Sequence, residues 1–130
     1  MNFVINCRLP SRNEVDAANR SNKYVGAKMK KEVEDVIGLY IISARCKGTI
    51  RPTRERVIVD IKWHERTKKR DVDNIQSSVK FILDALQKQG IIPNDSQRYV
   101  AQIFHTIVPD SKDFVEVFLI NHPNSDENSR

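Results

Sequence analysis

From Glu55 to His64 the chain places Val57, Val59, Ile61 and Trp63 at every second position, with Arg56, Ile58, Asp60 and Lys62 between them. Side chains two apart share one face of an extended strand, so this segment predicts a β-strand with one face on a core. The strand leads into RTKKRDVDNIQSSVKFILDALQKQGIIPNDSQ, Arg66 to Gln97, a basic run followed by Asp71 and Asp73, a helix-like segment and Asp95. Carboxylates set beside Lys and Arg suggest a site for Mg²⁺ and phosphate.

The remaining elements follow from the same periodicities. Asn2–Leu9 alternates Phe3, Ile5, Cys7 and Leu9 with polar neighbours apart from Val4 and predicts a first strand, ended by Leu9-Pro10-Ser11. Arg12 to Asn22 is polar and predicts a loop, with Ser11 and Ser21 as candidate helix starts. From about Asn22 to Lys47, Val25, Met29, Val33, Val36 or Ile37, Tyr40 and Ala44 recur at three or four, predicting a helix stopped by Gly48. A second helix runs from the acidic motif to about Gln89 and stops at Gly90. Arg98–Val108 and Phe114–Ile120 alternate as two strands around Pro109-Asp110-Ser111-Lys112, predicting a hairpin. The order is β-α-β-α-β-β, an α+β fold. One domain over residues 1–121 and a disordered polar tail over 122–130 are expected.

Charge is divided along the chain. Residues 1–70 hold 17 of the 22 Lys and Arg against 8 acids, about +9, whereas residues 71–130 hold 5 against 9, about −4. The acidic motif begins where the basic half ends, as metal-dependent chemistry on a polyanion requires, although a net charge of +5 also serves solubility alone. No apolar run approaches the roughly 18 residues that span a membrane. Cys7 and Cys46 have no metal-ligand spacing and read as thiols in a reducing cytoplasm.

On the second helix Ile75, Val79, Ile82 and Leu86 form an apolar row, and Asp73, Ser77, Lys80 and Asp84 a polar row opposite. In a helix continuous from Asp73, Lys80 leans back toward Asp73 and a bound phosphate. Asp71 and Asp73 also suit a helix N-terminus, and Asp73 with Gln76 resembles a capping box. Two considerations favour a cation site. In extended backbone Asp71 and Asp73 point to one side. The helix from about Ser77 to Gln89 rises roughly 20 Å, a distance that Gly90 to Asp95, nearly extended, can retrace. Three clustered carboxylates repel one another, and a divalent cation relieves that repulsion. Such a site can activate water and stabilise a leaving oxygen of a phosphodiester. His64 and His105 are isolated in the sequence. No Gly-rich phosphate loop, nucleophile elbow or zinc pattern is present.

Arg70-Asp71-Val72-Asp73-Asn74, then Lys80 to Leu86, then Gly90, then Asn94-Asp95-Ser96-Gln97 resemble the RusA family of Holliday junction resolvases, common in bacteriophages and prophages. The family pattern reads approximately R-D-x-D-N, K-x-x-x-D-A-L, G and D-D-x-Q, and Leu9-Pro10-Ser11-Arg12-Asn13 resembles its earlier P-S-x-N. The resemblance implies a mixed sheet with two helices and a homodimeric, Mg²⁺-dependent endonuclease acting on branched DNA, with Mn²⁺ as an alternative ion. It implies Asp71, Asp73 and Asp95 as metal-holding catalytic carboxylates. Counting four residues from Asp73 lands on Ser77. Aligning on K-x-x-x-D-A-L instead gives Lys80 with three extra residues, nearly one helical turn, and Lys80 is taken as the catalytic lysine. Asn94 stands where the family often has Asp.

A four-way junction has two-fold symmetry, which a C2 dimer with two active sites matches. Arg12, Asn13, Arg20, Lys23, Lys68, Lys69, Arg70 and Asn74 are the expected DNA contacts, with Lys28, Lys30, Lys31 and Arg66 as further phosphate partners, although each basic residue taken singly reads more readily as a solvated surface charge. Phe81, Tyr40 and Phe118 are candidate dimer contacts if exposed. The resemblance further places the protein in the cytoplasm of a bacterial host, phage- or prophage-encoded. A non-catalytic DNA-binding module would explain the basic half but leave the three aspartates without a role, and a metal nuclease acting on flaps or forks would use the same residues.

Overall fold

The computed structural model describes residues 1–122, so the expected tail lies, beyond His122, outside the described residues. The elements are β1 (Asn2–Ile5), α1 (Arg12–Ser21), α2 (Lys23–Lys47), β2 (Val57–Glu65), α3 (Val72–Gln76), α4 (Val79–Lys88), β3 (Val100–Pro109) and β4 (Phe114–Asn121). They form one mixed four-stranded sheet in the order β1-β4-β2-β3, with β2 parallel to β3 and β4 antiparallel to both β2 and β1. The α+β class and the mixed sheet agree with the sequence.

The predicted β2 alternation sets the architecture. Val57, Val59, Ile61 and Trp63 are buried with Phe3 and Ile5 of β1 and Val115, Val117 and Leu119 of β4. Ile37 and Ile41 of α2 and Phe81, Ile82 and Leu86 of α4 cover that face. Glu34, itself buried, receives Lys88 at 2.9 Å and ties α2 to α4. On α2 Ile37, Ile41 and Ala44 are buried and Met29, Val33 and Tyr40 pack half-buried against the core, so the expected stripe holds with Ile37 rather than Val36, while Val25 is exposed.

Three expectations are corrected. Arg12 to Ser21 is a helix, not a loop: Ser11 Oγ accepts the Glu14 N–H at 3.2 Å, and only Val15 is buried. Asn22, with extended backbone, ends α1 and caps α2 by accepting the Tyr24 N–H at 2.9 Å.

The second helix is broken at Ser77-Ser78. Ser77 Oγ donates to the Asn74 carbonyl and Ser78 Oγ to the Pro10 carbonyl, while Ser78 N–H reaches back only three residues to Ile75. Serine side chains that bond outside the helical ladder interrupt it in this way.

Finally, β3 and β4 are not a hairpin, because β2 lies between them. The connection from Asp110 to Asp113 crosses the end of β2, pinned by Asp110 N–H to the Glu65 carbonyl at 3.0 Å and Arg66 N–H to Asp113 Oδ1 at 2.7 Å.

Left-handed Gly90 at φ 71° turns the chain off α4. Ile91 N–H then bonds the Leu86 carbonyl at 2.9 Å, and the chain runs back to Asp95. The fully buried Ile82→Ala should cost about 2–5 kcal/mol in urea denaturation. Leu39→Ala, on the exposed side of α2, should stay within about 0.5 kcal/mol.

Candidate active site

Three distant segments meet at one corner of the fold. The chain from Leu9 to Asn13 is fastened to the segment from Arg70 to Ser78 by four contacts. Ser78 Oγ donates to the Pro10 carbonyl at 2.7 Å, the Arg12 N–H donates to Ser77 Oγ at 3.0 Å, and Asn13 Nδ2 donates to Asn74 Oδ1 at 2.6 Å. The fourth comes from Arg70, whose Nη2 donates to the Leu9 carbonyl at 3.3 Å. The third segment arrives after Gly90: Asp95 Oδ2 lies 3.3 Å from Lys80 Nζ, which also reaches Asp84 Oδ1 at 3.2 Å. The hydrogen bond to Asp84, and then that to Asp95, raise the Lys80 pKa above its ordinary value, so the side chain is a firm cation.

The two motif aspartates differ in backbone. Asp71 is the extended residue before α3, with φ −68° and ψ 146°, and its side chain makes no cap hydrogen bond. Asp73 lies in the first turn of α3, where its Oδ1 accepts the Asn74 N–H at 3.0 Å. Strand alternation therefore does not relate them, contrary to expectation; they flank the start of a short helix. Both are exposed. Lys80 pairs with Asp84 and Asp95, and the broken helix is not the continuous one that would have aimed it at Asp73.

Arg70 is turned inward. Its Nη1 lies 3.3 Å from each oxygen of Glu65, a residue only 7% exposed at the end of β2. Burial pushes the Glu65 carboxyl above its ordinary pKa, with Asp113 adding to the rise and Arg70 opposing it. Sequence reasoning missed Glu65, although it falls on the inward phase of β2, two residues past Trp63. His64 is not isolated either. Its Nδ1 lies 2.9 Å from Asp110 Oδ2 and its Nε2 2.6 Å from Glu116 Oε1, and the ring stacks on Phe114. His105 accepts the Trp63 indole N–H at Nδ1, and burial lowers its pKa, so it is a neutral structural partner.

Among the other basic residues, Arg12, Arg20, Lys23, Arg66, Lys68 and Lys69 are exposed, with Lys23 above the Tyr24 ring. Lys28, Lys30 and Lys31 face Glu32, Glu34 and Asp35 one turn on, so each already has an acidic neighbour. A groove of about 620 Å³ along β1 and α2, lined by Tyr40, Ser43 and Lys47, holds none of the motif residues. The aspartates instead lie on open surface, which suits a polymer better than an enclosed small molecule.

A family model described as Endodeoxyribonuclease RusA matches residues 11–119. The chain belongs to the RusA endodeoxyribonuclease family. The match takes in every motif segment from Ser11 onward, including Asp71, Asp73, Lys80 and Asp95. No curated protein matches this chain. Among the described residues no helix is long and apolar enough to cross a membrane. Asp71 and Asp73 offer exposed carboxylate oxygens, the donor type that hard divalent ions take. Among the described residues no three His, Cys, Asp or Glu side chains stand close enough to hold one metal ion.

The Glu65 pKa gives a signed prediction. The folded value lies above the ordinary 4.5, so the native state holds this proton more tightly than the unfolded chain. Stability from this group is complete below 4.5 and is lost as pH rises through the folded pKa. Glu65→Gln removes that loss, so its stability relative to the parent should rise with pH across the window in urea titrations. A difference independent of pH would contradict the raised pKa.

Proposed function

We propose that this protein is a Holliday junction resolvase, a Mg²⁺-dependent endonuclease that binds four-way DNA as a homodimer and nicks two symmetry-related strands. The observation that carries the reading is the convergence of Pro10–Asn13, Arg70–Lys80 and Asp95 at one corner of a chain from an endodeoxyribonuclease family. Asp71, Asp73 and Asp95 are the residues that would hold the divalent ion, Mg²⁺ or Mn²⁺. Held there, such an ion would supply an activated water and charge stabilisation for the departing oxygen of the phosphodiester.

The protein's own groups have separable tasks. Lys80 holds Asp95 against α4 and offers its ammonium to charge gathering on the scissile phosphate. Arg70, bonded to Glu65 and Leu9, fixes the joint from which Asp71 and α3 start. Asn13 and Asn74 lock the β1–α1 loop to that joint and present the motif's polar edge to DNA. Lys68 and Lys69 beside the aspartates, and Arg12, Arg20 and Lys23 along α1, supply phosphate contacts that position the duplex without reading its sequence. The free thiols of Cys7 and Cys46 suit a reducing cytoplasm.

Asp73→Asn removes charge at nearly constant shape and leaves an oxygen to accept the Asn74 N–H. It should fold and bind junction DNA normally while cleavage falls by about 10³-fold or more, as expected when a group acting on the transition state is lost. Loss of folding would instead make Asp73 a helix-start residue. Lys80→Ala should lower turnover on the order of 10²-fold with little change in junction affinity. An equal loss in Ser77→Ala, whose hydroxyl only fastens the loop, would move the catalytic role away from Lys80.

A further inference from the structure

The helices α1 and α2 meet at the single residue Asn22, and the chain around that joint carries charge of one sign. Residues 17–31 hold Arg20, Lys23, Lys28, Lys30 and Lys31 and no Asp or Glu. At the joint stands Tyr24, 75% exposed, more than any other large apolar side chain among the described residues. Lys23 Nζ lies 5.4 Å from the centre of its ring, so a cation suited to a phosphate steadies the ring. The joint itself is firmly built. Asn22 Oδ1 accepts the Tyr24 N–H at 2.9 Å, and the Asn22 N–H donates to the Ala18 carbonyl at 2.9 Å. A Cβ on Gly26 would come within 2.9 Å of the Asn19 Cα, so glycine is what lets the two helices approach this closely. At its other end α1 starts from the loop that Arg12 and Asn13 fasten to Ser77 and Asn74, and its ten residues rise roughly 15 Å to the joint. The Tyr24 ring is thereby held at a set reach from the corner that carries Asp71 and Asp73.

We propose that Tyr24 is the residue that distinguishes branched DNA from linear duplex, its ring stacking on a base pair at the centre of the junction. The assignment rests on the proposed resolvase and supplies its selectivity for a branch. Phosphates are common to duplex and junction, so the basic residues attract both alike. A ring that enters a linear duplex must first part a continuous stack, whereas a branch point interrupts the stack and leaves base pairs with a face to cover. Stacking is tolerant of sequence because every base has a π-face, so the ring selects shape and not a base. The cations of residues 17–31 hold the arms beside it, Arg20 and Lys23 nearest the ring in sequence and both exposed. Phe104, the other exposed aromatic ring among the described residues, lies in register with Asp60 on the face of the sheet away from α2, where an acid is its neighbour and DNA is disfavoured.

Binding of the full chain to a labelled four-way junction and to a linear duplex of the same sequence, in EDTA so that nothing is cut, tests the assignment. Tyr24→Ala should bind the junction about tenfold or more weakly than the parent while its duplex affinity is unchanged, a split that misfolding would not give. Tyr24→Phe should keep the parent's preference, because the ring and not the hydroxyl stacks. Lys23→Ala should weaken both substrates alike, as a phosphate contact does. A Tyr24→Ala variant that keeps the parent's preference, or that loses junction and duplex equally, would overturn the role of Tyr24 and leave the resolvase reading standing. A loss in Tyr24→Phe equal to that in Tyr24→Ala would overturn stacking in favour of a hydroxyl contact. A parent that binds both substrates alike would also overturn the assignment, and if it fails to nick the junction once Mg²⁺ is supplied, the resolvase reading falls with it.

Discussion

The corner that gathers the motif residues depends on the guanidinium of Arg70. It is the residue immediately before Asp71, and it bonds at once to the carboxylate of Glu65 at the end of β2 and to the carbonyl of Leu9 beyond β1. The two stretches of chain that leave the sheet at this end, after β1 and after β2, are thereby fixed relative to one another. A planar fork of five donors can serve a carboxylate and a carbonyl together, which a lysine ammonium does less well. The cost is a carboxylate held away from water, visible in the raised pKa of Glu65. Around this joint the two serines of the α3–α4 break and the Asn13–Asn74 pair add neutral hydrogen bonds that fix the loop at close range.

Much of this arrangement was legible in the sequence. The β2 alternation, the long α2, the turn at Gly90 and the last two strands rest on local periodicity, which survives folding because one face of each element must be buried. What was not legible depended on partners distant in the chain. α1 buries only Val15, so it carries no stripe to read and is held by caps at Ser11 and Asn22. The helix break at Ser77-Ser78 follows from carbonyl and amide groups of the β1–α1 loop that no local pattern announces. The turn residues between β3 and β4 fit a hairpin, yet the strands sit on either side of β2, because register with a third strand outweighs turn chemistry.

The site was legible to a different degree. Asp71, Asp73, Lys80 and Asp95 stood out by type and spacing, and the return of the chain from Gly90 brings Asp95 to Lys80. Glu65 did not stand out, since its importance lies in the cation it holds, and Asp84 stood in the polar row without the role the fold gives it, the pairing with Lys80. Arg70 read as a phosphate contact among a run of basic residues, whereas its guanidinium is engaged within the protein. A basic run is thus divided by the fold: Lys68 and Lys69 remain outside as free cations beside the aspartates, and Arg70 becomes part of the frame.

A resolvase couples the chemistry of this corner to the shape of the DNA it cuts. The most direct measurement is cleavage of an end-labelled synthetic four-way junction beside a linear duplex of the same sequence, each with Mg²⁺ and with EDTA. Paired, symmetric nicks in the junction alone, present with Mg²⁺ and absent with EDTA, are the predicted result. Binding without cutting would contradict the account in favour of a non-catalytic DNA-binding module, and cutting confined to flaps or forks would make the same residues a nuclease of another specificity.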